Sequence, residues 1–142
     1  MIRKYKKEEI SILIDIWEKS SAVAHPFLDD EFTKMVKTAM KETYLPNSDT
    51  WVFEEKNEIV GFISMLDNEI GGLFILPTHQ SKGIGSLLLE HISQFHTELE
   101  VEVFDENEIG KPFYIKKGFS LIKEYIQDAT NQKVFRMKKT LE

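Results

Sequence analysis

Gly72-Leu-Phe-Ile-Leu-Pro-Thr-His-Gln-Ser-Lys-Gly-Ile-Gly-Ser-Leu-Leu-Leu-Glu90 holds a strand end, a glycine loop and a helix start in one short stretch. Its apolar beginning continues a strand-like run, Ile70 to Leu76. Pro77 closes that run, and a strongly periodic helical segment begins at the second loop glycine, Gly85. Between them lies Gln80-Ser81-Lys82-Gly83-Ile84-Gly85. Glycines at 83 and 85 present no β-carbon, so backbone N–H groups can converge on phosphate oxygens, and the helix that follows adds its positive N-terminal end. Pyrophosphate is the natural guest of such a cradle. The dinucleotide fingerprint needs a third glycine three places after Gly85, where Leu88 stands, and the P-loop needs Gly-Lys-Ser/Thr, which is absent. Taken alone, the glycines also fit a plain strand-to-helix turn that needs small residues.

Outward from this loop the chain alternates strands and helices. On the amino-terminal side, Thr50 to Glu55, Glu58 to Leu66 and Glu69 to Leu76 read as strands joined by Lys56-Asn57 and Asp67-Asn68, short polar joins that predict an antiparallel meander. Ahead of them, a short strand, Ile2 to Tyr5, leads into a helix with Ile10, Leu13, Ile14 and Trp17 on one face, expected to stop near Ser20. Pro26 biases His25 away from helical geometry. Asp29 or Asp30 can then cap a second helix with Phe32, Met35, Val36, Ala39 and Met40 on its apolar face, ended by Pro46-Asn47. After the loop, Ile84, Leu87, Leu88, Ile92 and Phe95 form one helical stripe, followed by a strand, Leu99 to Phe104. A helix crossing between strands makes that last pair parallel. A short helix, Gly110 to Lys117, and a hairpin of Ser120 to Ile126 with Lys133 to Lys138 close the chain. This order predicts an α/β fold whose sheet is antiparallel at first and parallel in the middle.

The 142 residues, 42% of them hydrophobic, suffice for one sizeable core and are too few for two ordinary domains. The absence of cysteine excludes disulfides, thiolate metal sites and a cysteine nucleophile. No metal set is visible among the histidines. The charged start lacks an apolar signal core, and no stretch approaches a membrane span, so a cytoplasmic protein without membrane contact is expected. A net charge of −6 without a basic block makes nucleic acid a poor partner and leaves cationic acceptors, amines or lysine side chains, as plausible ones. Monomer and homodimer stay equally open.

The stretch from Gly72 to Glu90 resembles the acetyl-CoA signature of the GNAT N-acetyltransferases, whose loop has the form Gln/Arg-x-x-Gly-x-Gly/Ala, with Pro77 closing the strand as that family does. Glu102-Val-Phe-Asp-Glu-Asn107, followed by Phe113-Tyr114-Ile-Lys-Lys-Gly118-Phe119, is similar to the family's second hallmark, an Asn after the fifth strand, then a helix with Tyr, then Gly-Phe. The resemblance runs over nearly the whole chain. It implies a single GNAT domain over residues 1–142, with a mixed central sheet flanked by helices, an antiparallel meander and a parallel pair that splays at the cofactor site. Acetyl-CoA is the implied donor. Its pantetheine arm is expected along Leu73, Phe74 and Ile75, and its pyrophosphate on Gln80, Ser81, Lys82, Gly83, Ile84, Gly85 and Ser86.

Acetyl transfer from a thioester to an amine needs a deprotonated amine, a polarised carbonyl and a proton for the leaving thiolate. The resemblance gives that proton to Tyr114, seven residues after Asn107, and has the Asn107 amide hold the cofactor arm or orient the Tyr. Strand alternation sets Leu99, Val101 and Val103 on one face and Glu100, Glu102 and Phe104 on the other. Glu102 is therefore not forced into the core, and it stands five residues before Asn107, where the resemblance implies a carboxylate base, direct or through water, with Glu69 as a second carboxylate and a bare water chain as the alternative. The resemblance also implies that Ala24-His-Pro-Phe-Leu28 overhangs the acceptor cleft, with His25 and Phe27 shaping it. The expected reaction is direct transfer to a primary amine in a ternary complex, with small amines, protein lysines and protein N-termini all open. A catalytically silent CoA-binding sensor or interaction module on the same fold is the rival, and a nucleotide-binding protein a weaker one.

Overall fold

Residues 1–141 are described by a computed structural model. The chain begins with β1 (Ile2–Lys4), a turn of 3-10 helix, and α1 (Ile10–Ala24). Helix α1 outlasts its expected end at Ser20 by one turn, because Ser20 and Ser21 are themselves buried and the chain leaves helical geometry only at His25, before Pro26. Asp29 accepts a hydrogen bond from the Phe32 N–H and so starts α2 (Asp30–Ala39). The helix passes through a π turn, Met40–Tyr44, into a last turn, α3 (Leu45–Asn47), that contains Pro46. The expected apolar face of α2 is only partly covered: Met40 is buried, Phe32 and Val36 are half-buried, and Met35 is 58% exposed.

Lys56 and Asn57 both take positive φ, 52° and 65°, the turn geometry whose twist matches the strands it joins. They connect β2 (Asp49–Glu55) to β3 (Glu58–Leu66), and Asp67, at φ 53°, lies between β3 and β4 (Glu69–Ile75). β1 to β4 pair antiparallel in chain order, the meander that the sequence predicts for β2 to β4 being extended by β1. From β4 the chain crosses over α4 (Ile84–Ser93) to β5 (Glu98–Phe104), which runs parallel to β4. After α5 (Gly110–Lys116), the hairpin β6 (Ser120–Gln127) and β7 (Gln132–Thr140) folds back so that β7 pairs antiparallel with β5 and β6 takes the edge. The order is β1-β2-β3-β4-β5-β7-β6.

Two cores result, one on each face of the sheet. Leu13, Ile16 and Trp17 of α1 pack with Leu45, Val52 and Phe62. Ile84, Leu88, Leu89 and Ile92 of α4 pack with Ile63, Met65, Leu99, Val101 and Val103, so β5 alternates as expected. The stripe of α4 is rotated from its expected register: Leu89 is buried, while Leu87 is 47% and Phe95 58% exposed. Phe95 instead stacks on Trp51 at 5.7 Å. Each fully buried aliphatic side chain contributes roughly 1.5–3 kcal/mol, so the two clusters fix the crossover and with it the loop between β4 and α4.

Candidate active site

β4 and β5 touch over only two residue pairs, Glu69–Glu100 and Ile70–Val101, and then part. At the parting point β4 carries a bulge: Ser64 faces Gly72 and Met65 faces Ile70, leaving Gly71 out of register. A β-carbon on Gly71 would fall onto the Tyr44 hydroxyl, so any larger residue there displaces that side chain. That hydroxyl is buried without a hydrogen-bond partner, and burial, with the Glu69 charge nearby, pushes its pKa up to about 12. Beyond the bulge the strands enclose a cavity of about 710 Å³, within the usual range for small-molecule sites. Leu73, Phe74 and Ile75 line it on β4, on the stretch that has no β5 partner.

The glycine loop closes one end. Gly83 has φ 82°, caps α4, and would place a β-carbon in open space; Ser81 has φ 65°. The first turn of α4 contains no carboxylate, so its free N–H groups and the helix dipole face the cavity uncompensated. Ser81, Gly83, Ile84, Gly85 and Ser86 line the cavity, as does Gln80, whose side-chain amide donates to the Ile75 carbonyl at 3.1 Å and ties the loop to the strand end. Lys82 is exposed and outside the lining. These residues fit a pyrophosphate and an extended pantetheine arm.

Tyr114 lines the same cavity from α5, buried and wedged between Phe113 and Phe119 in edge-to-face contacts of 5.2 and 5.3 Å. Burial drives its phenol well above the ordinary range, so it is a protonated donor at neutral pH. Glu102 lines the cavity from β5. Its carboxylate accepts from the Tyr125 hydroxyl and from the Gln127 amide at 3.3 Å, and the Arg136 guanidinium stands 4.0 Å away. Glu69, the other candidate carboxylate, is held by both terminal nitrogens of Arg136 at 3.2 Å and lies outside the cavity lining.

Asn107 is buried between two elements. Its side-chain oxygen accepts from the N–H groups of Ile109 (3.1 Å) and Gly110 (2.8 Å) at the start of α5, and its NH₂ donates to His25 Nε2 at 3.1 Å. His25 Nδ1 is 3.1 Å from Ser21 Oγ. Both ring nitrogens are thus occupied within the protein, and burial pushes the imidazole pKa down to about 4. Phe27 packs edge-on against His25 and Phe104, at 5.7 and 5.4 Å, behind the cavity wall and not in it. The wall on this side comes from Ala24, Leu28, Phe32 and Val36, with Ser20 and Ser21.

Sequence reasoning passed over Tyr125, Gln127, Arg136 and Ser21. The first three depend on the insertion of β7 between β5 and β6, for which local sequence carries no signal. Ser21 falls just past the predicted end of α1, and its place four residues before His25 on the longer helix is the sign that links the two.

Among the described residues no helix is long and apolar enough to cross a membrane, and no group of three His, Asp or Glu side chains could hold a metal ion. The family model described as acetyltransferase (GNAT) domain matches residues 2–141. The peptidyl-lysine N-acetyltransferase YiaC of Escherichia coli is 29% identical over 92% of this chain and 90% of its own length. YjaB of the same organism, also named a peptidyl-lysine N-acetyltransferase, is 32% identical over 84% of this chain and 82% of its own. The apo solution structure of YjaB superposes with a TM-score of 0.87 at 27% identity, covering 100% of this chain and 98% of that one. The PaiA N-acetyltransferase of Thermoplasma acidophilum in complex with coenzyme A shares the fold, with a TM-score of 0.82 at 22% identity over 99% and 98% of the two chains. A glycine cradle, a parted strand pair and a family match along nearly the entire sequence agree, and the chain belongs to the GNAT acetyltransferases, enzymes that use acetyl-CoA as acyl donor.

Proposed function

We propose that this enzyme acetylates the ε-amine of lysine side chains in proteins by direct transfer within a ternary complex. The observation that carries the reading is that Tyr114 and Glu102 line one cavity with the glycine cradle, the first on α5 and the second on β5. Bound acetyl-CoA supplies the thioester carbonyl that the amine attacks. On this reading Ser81 and Gly83 to Ser86 bind the pyrophosphate, and the free edge of Leu73 to Ile75 guides the pantetheine arm as an added strand would. Glu102, oriented by Tyr125 and Gln127, takes the proton of the attacking ammonium through water. The nitrogen–carbon bond then forms as the carbon–sulfur bond breaks. Tyr114 gives its proton to the departing sulfur, the second proton shed by the nitrogen as the amide forms passes through water to restore the phenol, and Glu102 releases the first to solvent, so protons balance.

The acceptor side supports a lysine. Ala24, Leu28, Phe32 and Val36 give it apolar walls suited to a four-carbon stem, and Glu102 is a carboxylate that attracts the ammonium. The relatives YiaC and YjaB are named for the same acceptor class. Incubation with acetyl-CoA and a panel of lysine peptides, peptides with only a free N-terminus, polyamines and an aminoglycoside, following free CoA and product mass, tests it. Lysine peptides acetylated at the side chain with the highest kcat/KM are expected. Faster turnover of a polyamine or aminoglycoside would replace the acceptor, and CoA release without an acetylated product would remove the transfer reading.

A further inference from the structure

The Asn107 side chain can be oriented in only one way. Its oxygen is committed to two N–H groups, those of Ile109 and Gly110, so its NH₂ must face His25. His25 Nε2 therefore accepts, the ring proton sits on Nδ1, and Nδ1–H donates to Ser21 Oγ. The bond between His25 and Asn107 spans 82 positions of sequence and joins the end of α1 to the start of α5. It forms beside the cavity that both residues line. Phe27 and Phe104 clamp the ring edge-on, and the His25 backbone N–H is itself bonded to the Ser21 carbonyl at 2.7 Å. A ring so fixed on both nitrogens has no hydrogen bond left to offer an acceptor.

We propose that His25 is a positioning residue: as a neutral Nδ1–H imidazole it struts Asn107, and through it the α5 helix that carries Tyr114, against the end of α1. The Ser21–His25–Asn107 chain thus sets the distance between the acceptor wall and the acid. The role in turnover rests on the acetyl-transfer reading above; the strut itself does not.

Two measurements on the full chain test it. Nitrogen-15 spectra of the free protein at pH 7 are expected to show His25 neutral and protonated at Nδ1. In Asn107→Asp the carboxylate still accepts from Ile109 and Gly110 but cannot donate, so His25 is expected to carry a proton on Nε2. An Nε2–H tautomer in the wild type, or an unaltered ring in Asn107→Asp, overturns the strut even if no acceptor is ever acetylated. In kinetics, His25→Ala is expected to lower kcat about 10- to 100-fold with acceptor KM and acetyl-CoA affinity within about twofold. His25→Gln, whose amide oxygen can stand where Nε2 stood, is expected to recover most of the loss. A raised acceptor KM at unchanged kcat, or no rescue by Gln, overturns the positioning role.

Discussion

Tyr125 donates its phenolic proton to Glu102 across the intervening strand, so the edge strand β6 holds a carboxylate that β5 carries. Arg136 on β7 lies in register with Glu102 and on the same face. It is drawn to Glu69 and Glu100, and only approaches Glu102 at 4.0 Å. Glu69 and Glu100 are bound by the guanidinium, whereas Glu102 is left oriented by neutral donors and open to the cavity. This division of partners supports the proposal that Glu102, and not Glu69, handles the amine proton.

Glu102→Gln keeps the shape and removes the proton acceptor. Turnover should fall most at low pH, where little free amine exists without assistance, and recover in part as pH rises. Tyr125→Phe frees one carboxylate oxygen without removing the base, so its loss should be milder, about 3- to 10-fold in kcat. A pH–rate profile of Glu102→Gln parallel to wild type at every pH would count against the base.

Tyr114→Phe preserves the ring between Phe113 and Phe119 and removes only the hydroxyl. Turnover should drop about 10²- to 10³-fold with acetyl-CoA affinity nearly unchanged. Because burial raises the phenol's pKa, wild-type kcat should show no loss from Tyr114 ionisation up to at least pH 10. Near-normal turnover of the variant would return Tyr114 to packing alone.

Local sequence carried the strands, the crossover and the loop, since each rests on residues close together: period-two alternation in β5, positive-φ turn residues at Lys56-Asn57, glycine at 83. The partial pairing of β4 with β5 was legible only through family resemblance, because no local pattern distinguishes a strand that parts from one that stays. The hydrogen bonds of Glu102, and that of His25 to Asn107, were out of reach for the same physical reason. Their partners, Tyr125, Gln127 and Asn107, come from elements whose juxtaposition is set by the whole sheet. The rotation of α4 that buries Leu89 and exposes Leu87 was likewise decided by packing against Ile63 and Leu99, with both leucines equally apolar in sequence.

Gly83 should tolerate substitution poorly for reasons of backbone and not of space. At φ 82° a β-carbon meets nothing within 4 Å, yet an L-residue there costs on the order of 1–2 kcal/mol. Gly83→Ala should therefore lower thermal stability modestly while retaining acetyl-CoA binding. Gly83→Glu adds a negative charge at the mouth of the cradle and should abolish binding in calorimetry. Gly85→Ala, whose β-carbon would make an ordinary 3.5 Å contact with Phe113, should be mild in both assays. Intact acetyl-CoA affinity in a folded Gly83→Glu would separate the loop from the donor site.

His25 should make the fold lose stability in mild acid. Burial holds its pKa near 4 in the folded chain, against roughly 6.5 when exposed. Between those values the unfolded chain binds a proton that the folded chain refuses, so stability from this group is full above the unfolded pKa and declines as pH falls toward the folded one. The loss summed over that window is on the order of 2–3 kcal/mol, at about 1.4 kcal/mol per pH unit and reduced for a ring that is not wholly buried. Carboxylates add their own acid dependence, but His25→Gln shares it. Urea unfolding at pH 7.5, 6.5, 5.5 and 4.5 (roughly spanning the titration) should therefore show a shallower decline for His25→Gln than for wild type, with the two curves parting below about pH 6.5. Parallel declines would mean that the folded chain accommodates a charged His25, which the occupied ring nitrogens do not allow.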